Sequence, residues 1–322
     1  MLADVKQLTH GLPRAGDAVW APNGRWIAFH AAVPGEAAEQ LFLAPLRWDG
    51  ASVTGLGRPI RVSPKGSTNA GVAFAPNGNS LIFASTGAIE TGGTTAPSPN
   101  AGTATRLYRA DNWEPAVAGA DANAIVDLAR HPISPADVTD AQPTWSPDGK
   151  WIAFASERDG NVDLYVAKPD GSGRVRVTTA AGFNGYPAFS PDGKRLLYSA
   201  ARQGDRSLDL FVSQLVYDAA GNITGAKNER PITQRAAVAR RATWHPDGRH
   251  VMYASPQAGQ PGHRLRVVRA DGTMRTDLTF GSSSDSAPVV SPDGKFVLWT
   301  ARRTADGSPQ VFIARLTLPE GA

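Results

Sequence analysis

A Pro-Asn-Gly or Pro-Asp-Gly triplet occurs six times in this chain, at Pro22, Pro76, Pro147, Pro191, Pro246 and Pro292, in nearly the same setting each time. A pattern repeated at intervals of 44 to 71 residues describes six copies of one supersecondary unit. In Ser146-Pro147-Asp148-Gly149 the proline presets φ at the first central position of a turn and the aspartate suits the second. The glycine then takes the left-handed conformation that a type I turn with a following bulge requires. Each triplet is therefore predicted to join two antiparallel strands.

The residues around the turns repeat as well. Seven positions after the prolines stand Phe29, Phe83, Phe154, Tyr198, Tyr253 and Trp299, and two before them Trp20, Phe74, Trp145, Phe189, Trp244 and Val290. Positions five, six and seven after each proline are apolar in every copy, as in Ile152-Ala153-Phe154. A short run that is apolar on both sides reads as a strand buried on both faces. A third strand carries Leu41-Phe42-Leu43, Leu107-Tyr108, Leu164-Tyr165-Val166, Leu210-Phe211-Val212, Leu265-Arg266-Val267 and Val311-Phe312-Ile313. A fourth is predicted at Ile60–Val62, Ile125–Leu128, Val175–Thr178, Pro231–Thr233 and Asp277–Thr279. The sixth copy has none, while Val5-Lys6-Gln7-Leu8-Thr9 has the fourth-strand pattern and precedes the first copy.

These observations predict an all-β fold: a six-bladed β-propeller of four-stranded antiparallel blades, the last blade closed by the N-terminal strand 5–9. The expected organisation is a single propeller domain over 1–322, with a long loop at 86–105 inserted in blade 2. That loop is rich in Gly, Thr, Ala and Pro and is read as either a lid or a disordered segment.

Composition narrows the function classes. No run approaches the roughly 18 apolar residues of a membrane span, so no membrane insertion is expected. The chain has no cysteine, which removes disulfides and thiolate chemistry. Its 33 basic and 29 acidic residues give a net charge of +4 without any Lys/Arg block, so nucleic acid is not an expected partner. Met1-Leu2-Ala3-Asp4 lacks the regions of a leader, placing the protein in the cytoplasm, or in the periplasm or cell envelope if a leader was removed.

The segment Pro143 to Ser156, followed by Glu157-Arg158-Asp159-Gly160-Asn161 and Leu164-Tyr165, resembles the WD-like repeat of the TolB-type propellers, as do Pro187 to Ala200 and Pro288 to Ala301. The resemblance extends over essentially the whole chain. It implies a binding and scaffolding role, often in the bacterial envelope. The repeat is also similar to that of the oligogalacturonate lyases, which implies the alternative of a metal-dependent enzyme on carbohydrate or another small anion.

Candidate site residues lie on the face opposite the triplet turns, at the mouth of the central channel. Seven positions before the prolines stand Ala15, Asn69, Asp140, Asn184, Ala239 and Asp285. The two carboxylates and two amides could converge on a cation or a peptide backbone; otherwise each ties its own turn or links one blade to the next. Two positions further on, Asp17, Gly71, Gln142, Tyr186, Arg241 and Ala287 vary, as the wall of a binding funnel or a drifting solvated rim would. Arg158, Arg202, Arg206, Arg240, Arg241, Arg302 and Arg303 fall in loops of the same face; they suit an acidic partner or, interleaved with Asp159, Asp205 and Asp306, form a mixed, solvated charged surface.

No Gly-x-Ser-x-Gly elbow occurs, and the six histidines are scattered. The resulting expectation is a non-catalytic, monomeric scaffold. It binds a protein or peptide, acidic in character, at the channel mouth through Asn69, Asp140, Gln142, Asn184, Tyr186, Arg241, Asp285, Arg158, Arg202 and Arg302. No catalytic residue, metal ligand or cofactor is assigned, a cation at the mouth being the one open option.

Overall fold

The computed structural model describes residues 1–322 apart from 37, 65, 87–103, 122–123, 203–206, 236–240, 258, 260, 282 and 320–322. Six antiparallel sheets stand in a propeller, each starting with an inner strand followed by its triplet turn. Blade 3 shows the plan, with Asp140–Trp145, Ile152–Ser156, Asp163–Ala167 and Val175–Arg176 paired in that order. The inner strands of blades 1, 2, 4, 5 and 6 are Ala15–Trp20, Asn69–Phe74, Asn184–Phe189, Thr243–Trp244 and Asp285–Val290.

All six turns form as their residues dictate. The glycine N–H bonds the carbonyl before the proline, as from Gly149 to Ser146 at 2.9 Å, with the glycine at positive φ in each copy. The Asn or Asp Oδ1 accepts the N–H two residues on in every turn, for example Lys150 to Asp148 at 3.1 Å and Arg25 to Asn23 at 2.9 Å. Only that one oxygen is needed, so Asn and Asp serve equally.

The second strand of each blade is buried on both faces, because the core is six wedges, one between each pair of neighbouring blades. Ile152 and Phe154 pack toward Ile82 and Leu107 of blade 2, whereas Ala153 between them packs toward Phe189 and Tyr198 of blade 4. The aromatic seven positions after the proline stacks on a third-strand ring in five blades, as Phe29 on Phe42 at 5.7 Å and Tyr198 on Phe211 at 6.1 Å. Blade 5 has Arg266 in the third strand, beside Tyr253.

Blade 6 is completed by the N-terminal strand, which runs Leu2–Gln7 and pairs antiparallel with Gln310–Leu316. Leu8 N–H continues the ladder to the Val311 carbonyl at 2.8 Å. The pairing thus begins nearer the terminus than the sequence pattern suggested.

Three elements differ from expectation. The fourth strand of blade 4 is Ile223–Pro231, paired with Leu208–Tyr217, rather than Pro231–Thr233. The fourth strand of blade 2 is Arg130–Pro132, not Ile125–Leu128. Ile125 instead makes a parallel bridge to Arg61, and Leu128 is buried in the wedge between blades 1 and 2. That segment is an apolar cover for the outer edge of blade 1, which explains why its composition mimics a strand. Blade 1 also carries a hairpin arm, in which Gln40–Asp49 pairs beyond the blade with Ser52–Leu56. The arm reaches across to blade 6: Lys6 Nζ donates to the Val53 carbonyl at 2.8 Å and Arg315 Nη2 to the Ala51 carbonyl at 2.7 Å.

Candidate functional site at the channel

The repeated polar residues at the mouth are engaged by other groups of the protein, the two aspartates within their own blades. Asp140, fully buried, accepts two bonds from Arg158 Nη2 at 2.7 and 2.8 Å. In blade 6, Arg303 reaches both oxygens of Asp285 at 3.2 and 2.8 Å, and in blade 4 Arg202 donates to Asn184 Oδ1 at 2.6 Å. Each arginine lies over its blade's aromatic pair: Arg158 is 4.8 Å from the Tyr165 centroid, Arg202 5.0 Å from Phe211 and Arg303 5.5 Å from Trp299. Blade 1 has Ala15 and Val33 at the two places and blade 5 has Ala239 and Gln257, so in five of the six blades acid or amide and arginine are kept or lost together; blade 2 has Asn69 with Gly87.

Asn69 completes the set differently. Its Nδ2 donates to Ser67 Oγ at 3.1 Å and to the Glu39 carbonyl of blade 1 at 3.3 Å. Asn184 Nδ2 likewise crosses to Asp163 of blade 3 at 3.0 Å. These residues stitch blades together, and Asp140 and Asp285 each satisfy their charge locally. Arg302, beside the motif arginine, is turned outward and donates to the Gly307 carbonyl at 3.1 Å. Arg206, Arg240, Ala239 and nearly all of the loop at 86–105 lie outside the described residues.

The non-repeating set occupies a bulge on the inner strands. In blades 1, 3, 4 and 6 the pairing of inner and second strands skips one residue there, between Gly16 and Val19 in blade 1 for instance. The bulge residues Asp17, Gln142, Tyr186 and Ala287 have φ of 52°, 56°, 56° and 49°, and Gly71 in blade 2 has 79°. A left-handed residue turns its N–H out of its own ladder. The preceding blade takes it up: Asp17 N–H bonds Thr300 Oγ1 at 2.9 Å and Tyr186 N–H bonds Gln142 Oε1 at 2.7 Å.

Gln142, Tyr186 and Arg241 surround a cavity of about 130 Å³ on the propeller axis, with Val19, Val72 and Val289 completing its wall. Among the described residues no hydrogen bond or ion pair reaches the Arg241 guanidinium or the Asp17 carboxylate. Behind the channel wall lies His30, 3% exposed, whose Nε2 has no partner among the described residues. Burial lowers the His30 pKa, with Asp17 pulling it upward and Arg241 pushing it down further. The imidazole is neutral at pH 7 and sits in the fields of two opposed charges. Sequence reasoning passed over His30 as a lone histidine. The signal was its place eight positions after Pro22, where the other copies have only Ala, Ser or Thr.

Among the described residues no three His, Asp or Glu side chains cluster as metal ligands, and no helix is long and apolar enough to cross a membrane. Among the described residues the channel offers a guanidinium without a partner, an amide and a phenol ring on one side of a narrow bore. That set can grip an extended segment bearing an acidic group.

Fold and channel together define a six-bladed β-propeller with a closed N-terminal seam and an individual, non-repeating inner rim. The TolB beta propeller domain matches residues 122–215 and 176–319, more than half of the chain. The chain belongs to that family. It is 36% identical over 157 residues to the Tol-Pal system protein TolB of Bordetella pertussis, covering 48% of this chain and 32% of that protein. The chain spans about a third or less of the length of the curated relatives it matches. In structure it is similar to a putative TolB from Agrobacterium tumefaciens, with TM-score 0.60, 18% identity, and 94% and 91% of the two chains covered. It is also similar to an oligogalacturonate lyase in complex with manganese, with TM-score 0.55, 16% identity, and 98% and 93% covered. At these identities both likenesses speak to the fold alone.

Proposed function

We propose that this chain is a non-catalytic protein- or peptide-binding scaffold of the TolB-like type, receiving an acidic segment of a Tol–Pal component at the channel mouth. The setting that fits is the periplasm or cell envelope. The observation that carries this reading is Arg241, a guanidinium without a partner among the described residues, aimed into a cavity whose other polar wall is Gln142 and Tyr186. The bidentate chemistry of a free arginine favours a carboxylate, and a narrow bore favours one chain end or one extended strand. Asn69, Asp140, Asn184, Asp285, Arg158 and Arg202 act as the rigid frame of that mouth, and Arg302 stands on its rim. The metal-dependent alternative would call on Asp140 and Asp285, whose oxygens are spent on Arg158 and Arg303.

The test is calorimetric titration of the purified chain with soluble Tol–Pal components, repeated with Arg241→Glu. Saturable binding weakened about tenfold or more by the charge reversal is expected, since truncating a desolvated charge contact costs upward of 1.4 kcal/mol. Binding that ignores Arg241→Glu would remove the channel from the account. Absence of binding by every component would remove the partner class.

A further inference from the structure

On the turn face, each groove between neighbouring blades is bounded by the residue four after one proline and the residue two before the next. Three of these six grooves are plugged. Trp113 of the short helix Trp113–Ala118 stands between Trp26 and Phe74, with centroids 5.6 and 5.0 Å away. Arg195 lies 4.6 Å over Trp244 and donates to the Gly248 carbonyl at 2.9 Å. His245 reaches the Gly294 carbonyl at 3.4 Å. The groove between blades 2 and 3 holds a cavity of about 350 Å³ beside Ser80 and Trp145, and the groove between blades 6 and 1 a larger one: Phe296 and Trp20 border an open cavity of about 600 Å³. The arm of blade 1 forms its outer wall with Trp48, which is 39% exposed and meets Phe296 edge-on at 5.5 Å. Pro22 and Pro292 line the two ends.

The open polar groups of this groove are mainly donors. Several of its acceptors are engaged within the turns: Asn23 Oδ1 takes the Arg25 N–H at 2.9 Å, and Asp293 Oδ1 takes the Ser291 hydroxyl at 2.6 Å and the Lys295 N–H at 3.1 Å, leaving Asp293 Oδ2 without a hydrogen bond among the described residues. The Asp293 charge is further matched by Lys295 Nζ at 3.7 Å. Its donors are open: the Trp48 Nε1–H and the exposed Arg25 guanidinium have no partner among the described residues. A sugar would bring many hydroxyl donors to a groove whose side-chain acceptors are mostly engaged, leaving some unpaired at a cost. A proline-rich segment brings carbonyl acceptors, apolar rings and few N–H groups, and its extended helix is already ordered before binding.

We propose that the groove between blades 6 and 1 is a second binding site, independent of the channel, for a proline-rich polyproline II segment flanked by acidic residues. Its prolines pack on Trp48, Trp20 and Phe296, a carbonyl accepts from Trp48 Nε1, and Arg25 pairs with the flanking carboxylate. The probe is a blocked synthetic peptide with a Pro-x-x-Pro core and flanking glutamates, titrated by calorimetry into the whole chain. Saturable binding is expected, weakened about tenfold or more by Trp48→Ala and by Arg25→Glu, and unchanged by Arg241→Glu. Both altered side chains are exposed, and unchanged melting confirms that the variants fold. Three outcomes overturn the proposal: no binding at millimolar peptide, equal binding of a peptide flanked by lysines, or binding indifferent to Trp48→Ala. Uptake of an acidic oligosaccharide in place of the peptide would overturn it as well.

Discussion

Thr9 and Gln310 are joined across 301 positions of chain: Thr9 Oγ1 donates to Gln310 Oε1 at 2.6 Å. The same hydroxyl accepts the Val311 N–H at 2.9 Å. Every blade repeats this latch between fourth and third strands, with Ser63 on Leu41, Ser134 on Leu107, Thr178 on Leu164, Thr233 on Leu210 and Thr279 on Leu265, all at 2.8 to 3.0 Å. Five of the latches join residues of one continuous blade. The sixth, at Thr9, holds the ring shut.

Thr9→Val keeps the size of the side chain and leaves the Val311 N–H and the Gln310 oxygen unpaired in a buried site. A loss of about 1–3 kcal/mol is expected. Urea denaturation of this variant beside Thr178→Val checks it. Wild-type stability in Thr9→Val would mean that the seam is held by the strand ladder and the blade 1 arm alone.

Asp140 and Arg158 make the second prediction. The carboxylate is fully buried and the arginine side chain 14% exposed, so Asp140→Ala strands a guanidinium under the rim and costs about 3–5 kcal/mol. Pairing it with Arg158→Val recreates the Ala15–Val33 combination of blade 1 and should recover at least half of that loss. Strict additivity of the two substitutions in thermal or urea unfolding would deny the coupling.

Much of the ring was legible because its causes are local. The triplet turns, the doubly buried second strands and the Leu8-Thr9 echo of Leu278-Thr279 depend on nearest neighbours and repeat in sequence. The fourth strand of blade 2 was hidden because Ile125 to Leu128 is as apolar as a strand; its true mark was Ile133-Ser134, the apolar–hydroxyl pair of every latch. At the mouth, the repeat seven positions before the prolines suggested a shared site. The partner positions eleven after them, Arg158, Arg202 and Arg303, carried the other half of the pattern. Neither the open groove beside Trp48 nor the placement of His30 had a local signal, since both arise where two distant blades meet.

The turn aspartates give a pH prediction. Asp247 is held at a pKa of about 2: burial pushes it upward, but the N–H of Arg249, the imidazole and N–H of His250, and His245 nearby outweigh it. Asp148, Asp192 and Asp293 are lowered in the same way, burial being outweighed by a serine hydroxyl and a backbone N–H. A carboxyl depressed in the folded chain adds stability above its unfolded pKa of about 4, and loses it as pH falls toward the folded value. Unfolding free energy should therefore drop between about pH 4 and pH 2. Asp247→Asn keeps the turn oxygen, as Asn23 and Asn77 do, and should flatten that decline while lowering stability at pH 7. An unaltered slope in acid titrations of this variant would show that Asp247 is not among the groups responsible.

Gly71 and Ala287 occupy the same bulge position with φ of 79° and 49°, yet they should respond very unequally to exchange. A Cβ at Gly71 would lie 3.1 Å from Gln142 Cα and 3.2 Å from Pro143 Cδ, atoms of a neighbouring inner strand that cannot rotate away. Gly71→Ala thus adds crowding to left-handed strain and is expected to cost about 2–3 kcal/mol. Ala287 already tolerates the conformation. Its change to glycine relieves strain of about 1 kcal/mol, but frees the unfolded chain and removes a buried methyl, so the net change stays under about 1 kcal/mol. The contrast is read from paired urea titrations. Equal effects at the two positions would mean that backbone conformation alone, without the approach of blade 3, sets the requirement for glycine in blade 2.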